Sequence, residues 1–229
     1  MAKHIGIVAV SAEGAALCYR TVCAEGAALL GRHAHPEVTM HTYPLADYMR
    51  HIDAGKWDEV GEMLLSSAEK LRKAGADLLI CPDNTAHQAV DIVRDRSTLP
   101  WLHIAEEVAT AAGERGFKRL LVLGTRYLME GPVYPAKLRP KEIEHEIPDV
   151  EARERINTLT FDDLVYGRFE ESARSYFKDV MRKAQGQGCD AVILGCTEFP
   201  LLIREADAPL PTLDSTRILA RAALRAAVR

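Results

Sequence analysis

The chain has 229 residues, 48% of them hydrophobic, which is enough for one sizeable core or two smaller ones. Its net charge of −4, from 29 basic and 33 acidic residues, is spread along the sequence without the basic stripe that nucleic-acid binding requires, so a small-molecule partner is expected and no nucleic acid. No apolar run approaches the ~20 residues that span a bilayer, and the amino terminus lacks a signal-peptide core and cleavage site, so the expectation is a cytoplasmic protein with no membrane contact. The five cysteines match no zinc-ligand spacing; reduced thiols and no metal are expected.

Apolar runs of strand length alternate with helix-period segments. Ile5–Val10 and Val38–Tyr43 are predicted strands, followed by a helix over Trp57–Lys73 with apolar residues at three- and four-residue steps. Leu78–Cys81, Leu120–Leu123 and Ala191–Leu194 are further predicted strands, with a helix over Phe169–Ala184 before the last of them. The Ala- and Arg-rich segment Ser215–Arg229 is strongly helical by propensity and is expected to pack back on the first half. This alternation predicts parallel α/β architecture.

One strand-to-loop unit occurs twice. Gly75-Ala-Asp-Leu-Leu-Ile-Cys-Pro-Asp83-Asn84-Thr85 returns 113 residues later as Gly188-Cys-Asp-Ala-Val-Ile-Leu-Gly-Cys196-Thr197-Glu198. The repeat predicts two related α/β halves, 1–97 with 211–229 and 98–210, with boundaries near Ser97–Pro100 and Pro209–Pro211. Asp83 and Cys196 occupy equivalent places at strand ends, where α/β proteins present side chains to a ligand crevice. A carboxylate and a thiol there are a candidate acid/base pair for moving a proton between two faces of a carbon.

Around them, Asn84 and Thr85 have two readings: donors to a bound carboxylate, or caps of the following helix. Cys196 is a candidate acid or base, whereas Cys81 and Cys189, within strand units, read as core residues. His87 and His103 are placed to orient a catalytic neighbour or to serve as structural histidines. Ser11 and Thr125 follow strands and offer hydroxyls to the same crevice, or act as ordinary turn residues.

At these residues the chain resembles the aspartate/glutamate racemase family, whose loops read Cys-Asn-Thr-Ala-His and Gly-Cys-Thr-Glu followed by proline. Here they read Asp83-Asn84-Thr85-Ala86-His87 and Gly195-Cys196-Thr197-Glu198-Phe199-Pro200. The likeness extends to Ile5-Gly-Ile-Val, Gly124-Thr125 with Met129 and Tyr134, and Asp163-Leu164 with Gly167. At position 83 a carboxylate stands where the family has a thiol, and Leu128 stands where a threonine is common.

The resemblance implies two pseudo-symmetric flavodoxin-like domains with parallel sheets, an active site in the cleft between them, and a homodimer. It also implies amino-acid racemisation without metal, pyridoxal phosphate or other cofactor, with Cys196 as one acid/base group; the repeat, not the resemblance, makes Asp83 its opposite partner. Ser11, Asn84, Thr85, Thr125 and Thr197 would then bind the α-carboxylate of a small carboxylic-acid or amino-acid substrate, supported by His87, His103 and Glu198. Competing readings are a single-cysteine isomerase or decarboxylase acting on another carboxylic acid, and a non-catalytic carboxylate-binding protein.

Overall fold

The computed structural model describes residues 2–229, which form two compact units: one runs from the amino terminus to Glu107 and resumes at Thr216–Arg229, and the other is Val108–Ser215. In the first, strands and helices alternate as β1 (Ile5–Ala9), α1 (Ala12–Leu30), β2 (Val38–Thr42), α2 (Leu45–Asp53), α3 (Trp57–Lys73), β3 (Leu78–Ile80), α4 (His87–Val93) and β4 (Trp101–Leu102). The chain passes into the second unit along α5 (Ile104–Glu114). There it forms β5 (Arg119–Leu123), α6 (Arg126–Met129), α7 (Val133–Leu138), β6 (Glu144–Glu146), α8 (Val150–Asp162), α9 (Glu171–Gly186), β7 (Ala191–Leu194), α10 (Phe199–Leu202) and β8 (Thr212–Asp214). Helix α11 (Ser215–Ala227) returns to the first unit.

Both sheets are parallel, with order β2-β1-β3-β4 in one and β6-β5-β7-β8 in the other. The repeat in the sequence is therefore a repeat of topology. In each sheet the order reverses between the two central strands, β1 and β3 or β5 and β7. Ligands of open α/β sheets bind outside the carboxyl ends of strands at such a switch point.

The shared Gly-x-Asp that opens each repeat has a structural role. Gly75 and Gly188 take left-handed φ values of 95° and 92° after α3 and α9, a conformation that favours glycine. Two residues on, the aspartate carboxylates clamp the neighbouring strand: Asp77 accepts from the His4 N–H at 2.8 Å, and Asp190 accepts from the Lys118 N–H at 2.7 Å and the Arg119 N–H at 3.2 Å. Both central strand pairs are thus pinned at the end opposite the candidate site.

Burial follows the two-faced parallel pattern, because helices cover the sheets. Every residue of β1, β3 and β7 is buried. Leu219, Ala220, Ala223, Leu224 and Ala227 of α11 pack with Ile5, Ile7, Leu78 and Ile80, so the carboxyl-terminal helix completes the first core as expected. Each large aliphatic side chain buried there is worth roughly 1.5–3 kcal/mol. In the second unit Phe177 of α9 and Phe199 of α10 meet edge to face, 4.8 Å between ring centres, within the core under β7.

The structure adds three strands that the sequence patterns miss, β4, β6 and β8, and ends β1, β2 and β3 one residue earlier than predicted. The helix predicted from Phe169 begins at Glu171. All five cysteines are free, with Cys81 and Cys189 buried, as expected of core residues. Among the described residues no helix is long and apolar enough to cross a membrane.

Candidate active site

The loops after β1 and β5 begin alike. The Ser11 hydroxyl accepts from the Gly14 N–H at 3.3 Å and caps α1, while the Thr125 hydroxyl accepts from the Leu128 N–H at 3.4 Å and caps α6. The structural reading of both residues therefore holds. It does not exhaust them, because a hydroxyl that accepts a cap bond can donate as well.

The loop after β3 carries Asp83, half-buried, and Asn84, almost fully buried. Asp83 itself takes a capping role: its Oδ1 accepts from the Ala86 N–H at 2.9 Å. The residue before α4, Ala86, makes no side-chain cap. Behind this loop, His87 is fully buried, with Nδ1 2.8 Å from the Asp83 carbonyl oxygen and Nε2 3.1 Å from the Ile104 amide nitrogen. A carbonyl only accepts and an amide N–H only donates, so Nδ1 carries the hydrogen and Nε2 is the acceptor. His87 is a neutral brace joining the Asp83 loop to the start of α5, with no ring nitrogen left for proton transfer.

His103 lies edge-on to His87, 4.4 Å between ring centres, and is also buried. Its Nε2 is 3.5 Å from Asp91 Oδ1, within ion-pair range, yet neither ring nitrogen makes a well-aligned hydrogen bond. At 3.5 Å the separation exceeds an ordinary N–H···O bond. Cys81, immediately after β3, is fully enclosed, and burial holds its thiol well above the ordinary range.

The loop after β7 places the partly exposed Cys196 beside two buried neighbours, Thr197 and Glu198. The Cys196 thiol donates to Glu198 Oε2 at 2.9 Å, and the Thr197 hydroxyl donates to the same oxygen at 2.9 Å. The thiol is thereby held as a proton donor toward a side-chain carboxylate.

Sequence reasoning missed how this loop is seated. Gly195 donates to the Leu123 carbonyl at 2.8 Å, and a Cβ on Gly195 would lie 2.7 Å from that same oxygen and 2.5 Å from Leu128 Cδ2. Leu128 presses equally on Gly124, whose Cβ would also meet Cδ2 at 2.5 Å. The two glycines let the ends of β5 and β7 close over one leucine. The glycine before Cys196 was the available signal; its neighbour across the sheet was not.

Chain-wide comparison gives the family. Residues 5–223 match the Asp/Glu/hydantoin racemase family. The chain is 24% identical over 190 residues to the broad specificity amino-acid racemase RacX of Bacillus subtilis (strain 168), covering 82% of this chain and 80% of that protein. A crystal structure of a candidate Asp/Glu racemase from Yersinia pestis superposes with a TM-score of 0.90 at 31% identity, over 99% of this chain and 100% of that one. An aspartate racemase homologue from Pyrococcus horikoshii OT3 gives 0.86 at 26% identity, again over 99% and 100%. The chain belongs to the Asp/Glu/hydantoin racemase family.

Proposed function

We propose that this protein is a cofactor-independent amino-acid racemase in which Asp83 and Cys196 exchange the substrate α-proton, one from each face of the α-carbon. The observation that carries the proposal is positional. Asp83 and Cys196 follow β3 and β7, the corresponding central strands of two sheets with one strand order, in a chain of a racemase family.

In one direction the Asp83 carboxylate takes the α-proton while the Cys196 thiol, held as a donor toward Glu198, gives its proton to the opposite face. The products are protonated Asp83 and a Cys196 thiolate, which together form the starting state for the reverse reaction. Hydroxyl and amide donors from Ser11, Asn84, Thr85, Thr125 and Thr197 hold the α-carboxylate and stabilise the charge that develops on it as the α-carbon is deprotonated. Glu198 keeps the thiol oriented, and His87 fixes the backbone that carries Asp83.

A carboxylate of reference pKa ~3.9 and a thiol of ~8.5 are unequal partners. The two directions start from tautomers of one enzyme that hold a single shared proton on either Cys196 or Asp83, so kcat/KM in both directions should follow one bell-shaped pH profile, lost on the acid side when the pair gains a second proton and on the alkaline side when it loses its last. Initial rates from each enantiomer of aspartate, glutamate and neutral amino acids across pH test this. A bell with both limbs supports the pair, whereas a profile with a single limb removes it.

The second reading rests on the Asp83–Ala86 bond, since a carboxylate engaged in shaping its loop suits a single-cysteine isomerase or decarboxylase. Product analysis separates the two: a racemase interconverts enantiomers, while a decarboxylase releases carbon dioxide.

A further inference from the structure

Strand β2 is an edge of the first sheet, and its carboxyl end carries a second cluster of ionisable side chains against α3. Lys70 of α3 donates to His41 Nε2 at 3.0 Å and to the Tyr43 hydroxyl oxygen at 2.8 Å, and its ammonium stands 4.2 Å from the centre of the Tyr43 ring. The Tyr43 hydroxyl is also 2.8 Å from Ser66 Oγ.

An ammonium has no lone pair, so His41 Nε2 must accept; Nδ1 then carries the hydrogen and donates to Ser67 Oγ at 3.0 Å. His41 is thus neutral in this arrangement, and burial together with the nearby Lys70 charge pulls its pKa below the ordinary range. It acts as a neutral clamp that aims the lysine at the phenol. The lysine and serine hydrogen bonds favour the ionised oxygen, and the Tyr43 phenol is pulled below its ordinary range, by Lys70 first and Ser66 second. Tyr48 on α2, another ionisable neighbour of Tyr43, is buried, and burial pushes its phenol up instead.

We propose that Tyr43 is a modification site: a phenol activated by Lys70 and Ser66 that attacks acyl- and sulfonyl-type electrophiles. The oxygen of a phenol is a weak nucleophile until ionised, and a fixed ammonium with an adjacent hydroxyl is an arrangement that favours the ionised form. In the reaction with an aryl sulfonyl fluoride the Tyr43 oxygen forms a bond to sulfur, the sulfur–fluorine bond breaks and fluoride leaves. The phenolic proton passes to solvent by way of Ser66. The site is separate from Asp83 and Cys196 chemically, and its reactivity does not depend on the racemase reading.

The other tyrosines are internal standards, above all Tyr166, which is 71% exposed while Tyr43 is only partly exposed. Full-length protein is treated with an aryl sulfonyl fluoride near neutral pH, and labelling at each tyrosine is followed by peptide mass spectrometry. Tyr43 is expected to label about tenfold faster than Tyr166. Lys70→Met should bring Tyr43 down to the Tyr166 rate, Ser66→Ala should lower it in part, and Lys70→Arg should retain most of it. Tyr48, fully buried on α2 in the same unit, should stay unlabelled in each variant, which reports that the first unit is intact. Labelling of Tyr43 no faster than Tyr166, or a Tyr43 rate indifferent to Lys70→Met, would overturn the proposal.

Discussion

The loops after β3 and β7 occupy the same place in two sheets of one topology, yet they hold Asp83 and Cys196, the proposed acid/base pair, in different ways. Asp83 spends one carboxylate oxygen on the Ala86 N–H, and its backbone is braced from behind by His87. Cys196 makes its hydrogen bond to another side chain, Glu198, and leaves the seating of the loop to Gly195 and Leu128. In the first loop the chemical group and the structural cap are the same atoms; in the second they are separate. A substitution at Asp83 therefore mixes two effects, whereas one at Cys196 reads mainly chemistry.

The largest expected effect separates those roles. Asp83→Asn keeps an oxygen for the Ala86 N–H and removes the proposed base, so turnover should fall by about 10²–10⁴ with little change in stability. Asp83→Ala removes the cap as well and should cost about 1 kcal/mol more in denaturant unfolding. Equal stabilities for the two variants would show that the carboxylate does not shape its loop.

Next in size is the brace. His87→Leu leaves the Ile104 N–H and the Asp83 carbonyl unpaired in the interior, an expected loss of roughly 2–4 kcal/mol of stability. A loss below about 1 kcal/mol would mean that both groups find other partners. Seating of the second loop gives a smaller effect. Gly195→Ala should cost about 1–3 kcal/mol by forcing Leu128 and the Leu123 carbonyl apart, while Gly186→Ala, where a Cβ meets nothing within 4 Å, should be neutral or slightly stabilising. Equal thermal midpoints for the two variants would remove the close-approach explanation.

The smallest effect lies away from both loops. Arg221 of α11 donates two bonds to Glu25 of α1, at 2.8 and 2.9 Å, and the arginine holds the Glu25 carboxyl below its ordinary range. Both side chains are well exposed, so the pair is worth under about 1 kcal/mol. A depressed folded pKa gives stability that is present above the unfolded value of ~4.3 and is lost as pH falls through the folded value. Glu25→Gln should therefore destabilise slightly at neutral pH and not at all in strong acid. A deficit that persists in acid would point to packing rather than charge.

Much of this organisation is legible in the sequence because the repeat writes it twice. Glycine, aspartate, an apolar run and a polar loop recur at 75–85 and 188–198, and the structure gives the glycines, the aspartates and the strands matching duties. The strands β4, β6 and β8 escape notice because two or three residues, such as Glu144-His145-Glu146, are too few to show a period, and pairing alone defines them. Glu198 was recognisable as a neighbour of Cys196, but its bond to the thiol depends on a turn that brings residues two apart onto one oxygen. His87 was legible as a structural or catalytic histidine. Its neutral bracing role became clear only with both of its partners, one of them 17 residues away at Ile104.

The most direct test of the Asp83–Cys196 pair is proton NMR in deuterium oxide, with each enantiomer of aspartate, glutamate and other common amino acids incubated separately with wild type, Cys196→Ala and Asp83→Asn. A racemase using both groups exchanges the α-proton of its substrate and forms the opposite enantiomer in the wild type, and loses that conversion in either variant. Exchange that survives both substitutions, or no exchange with any of these amino acids, would contradict the assignment.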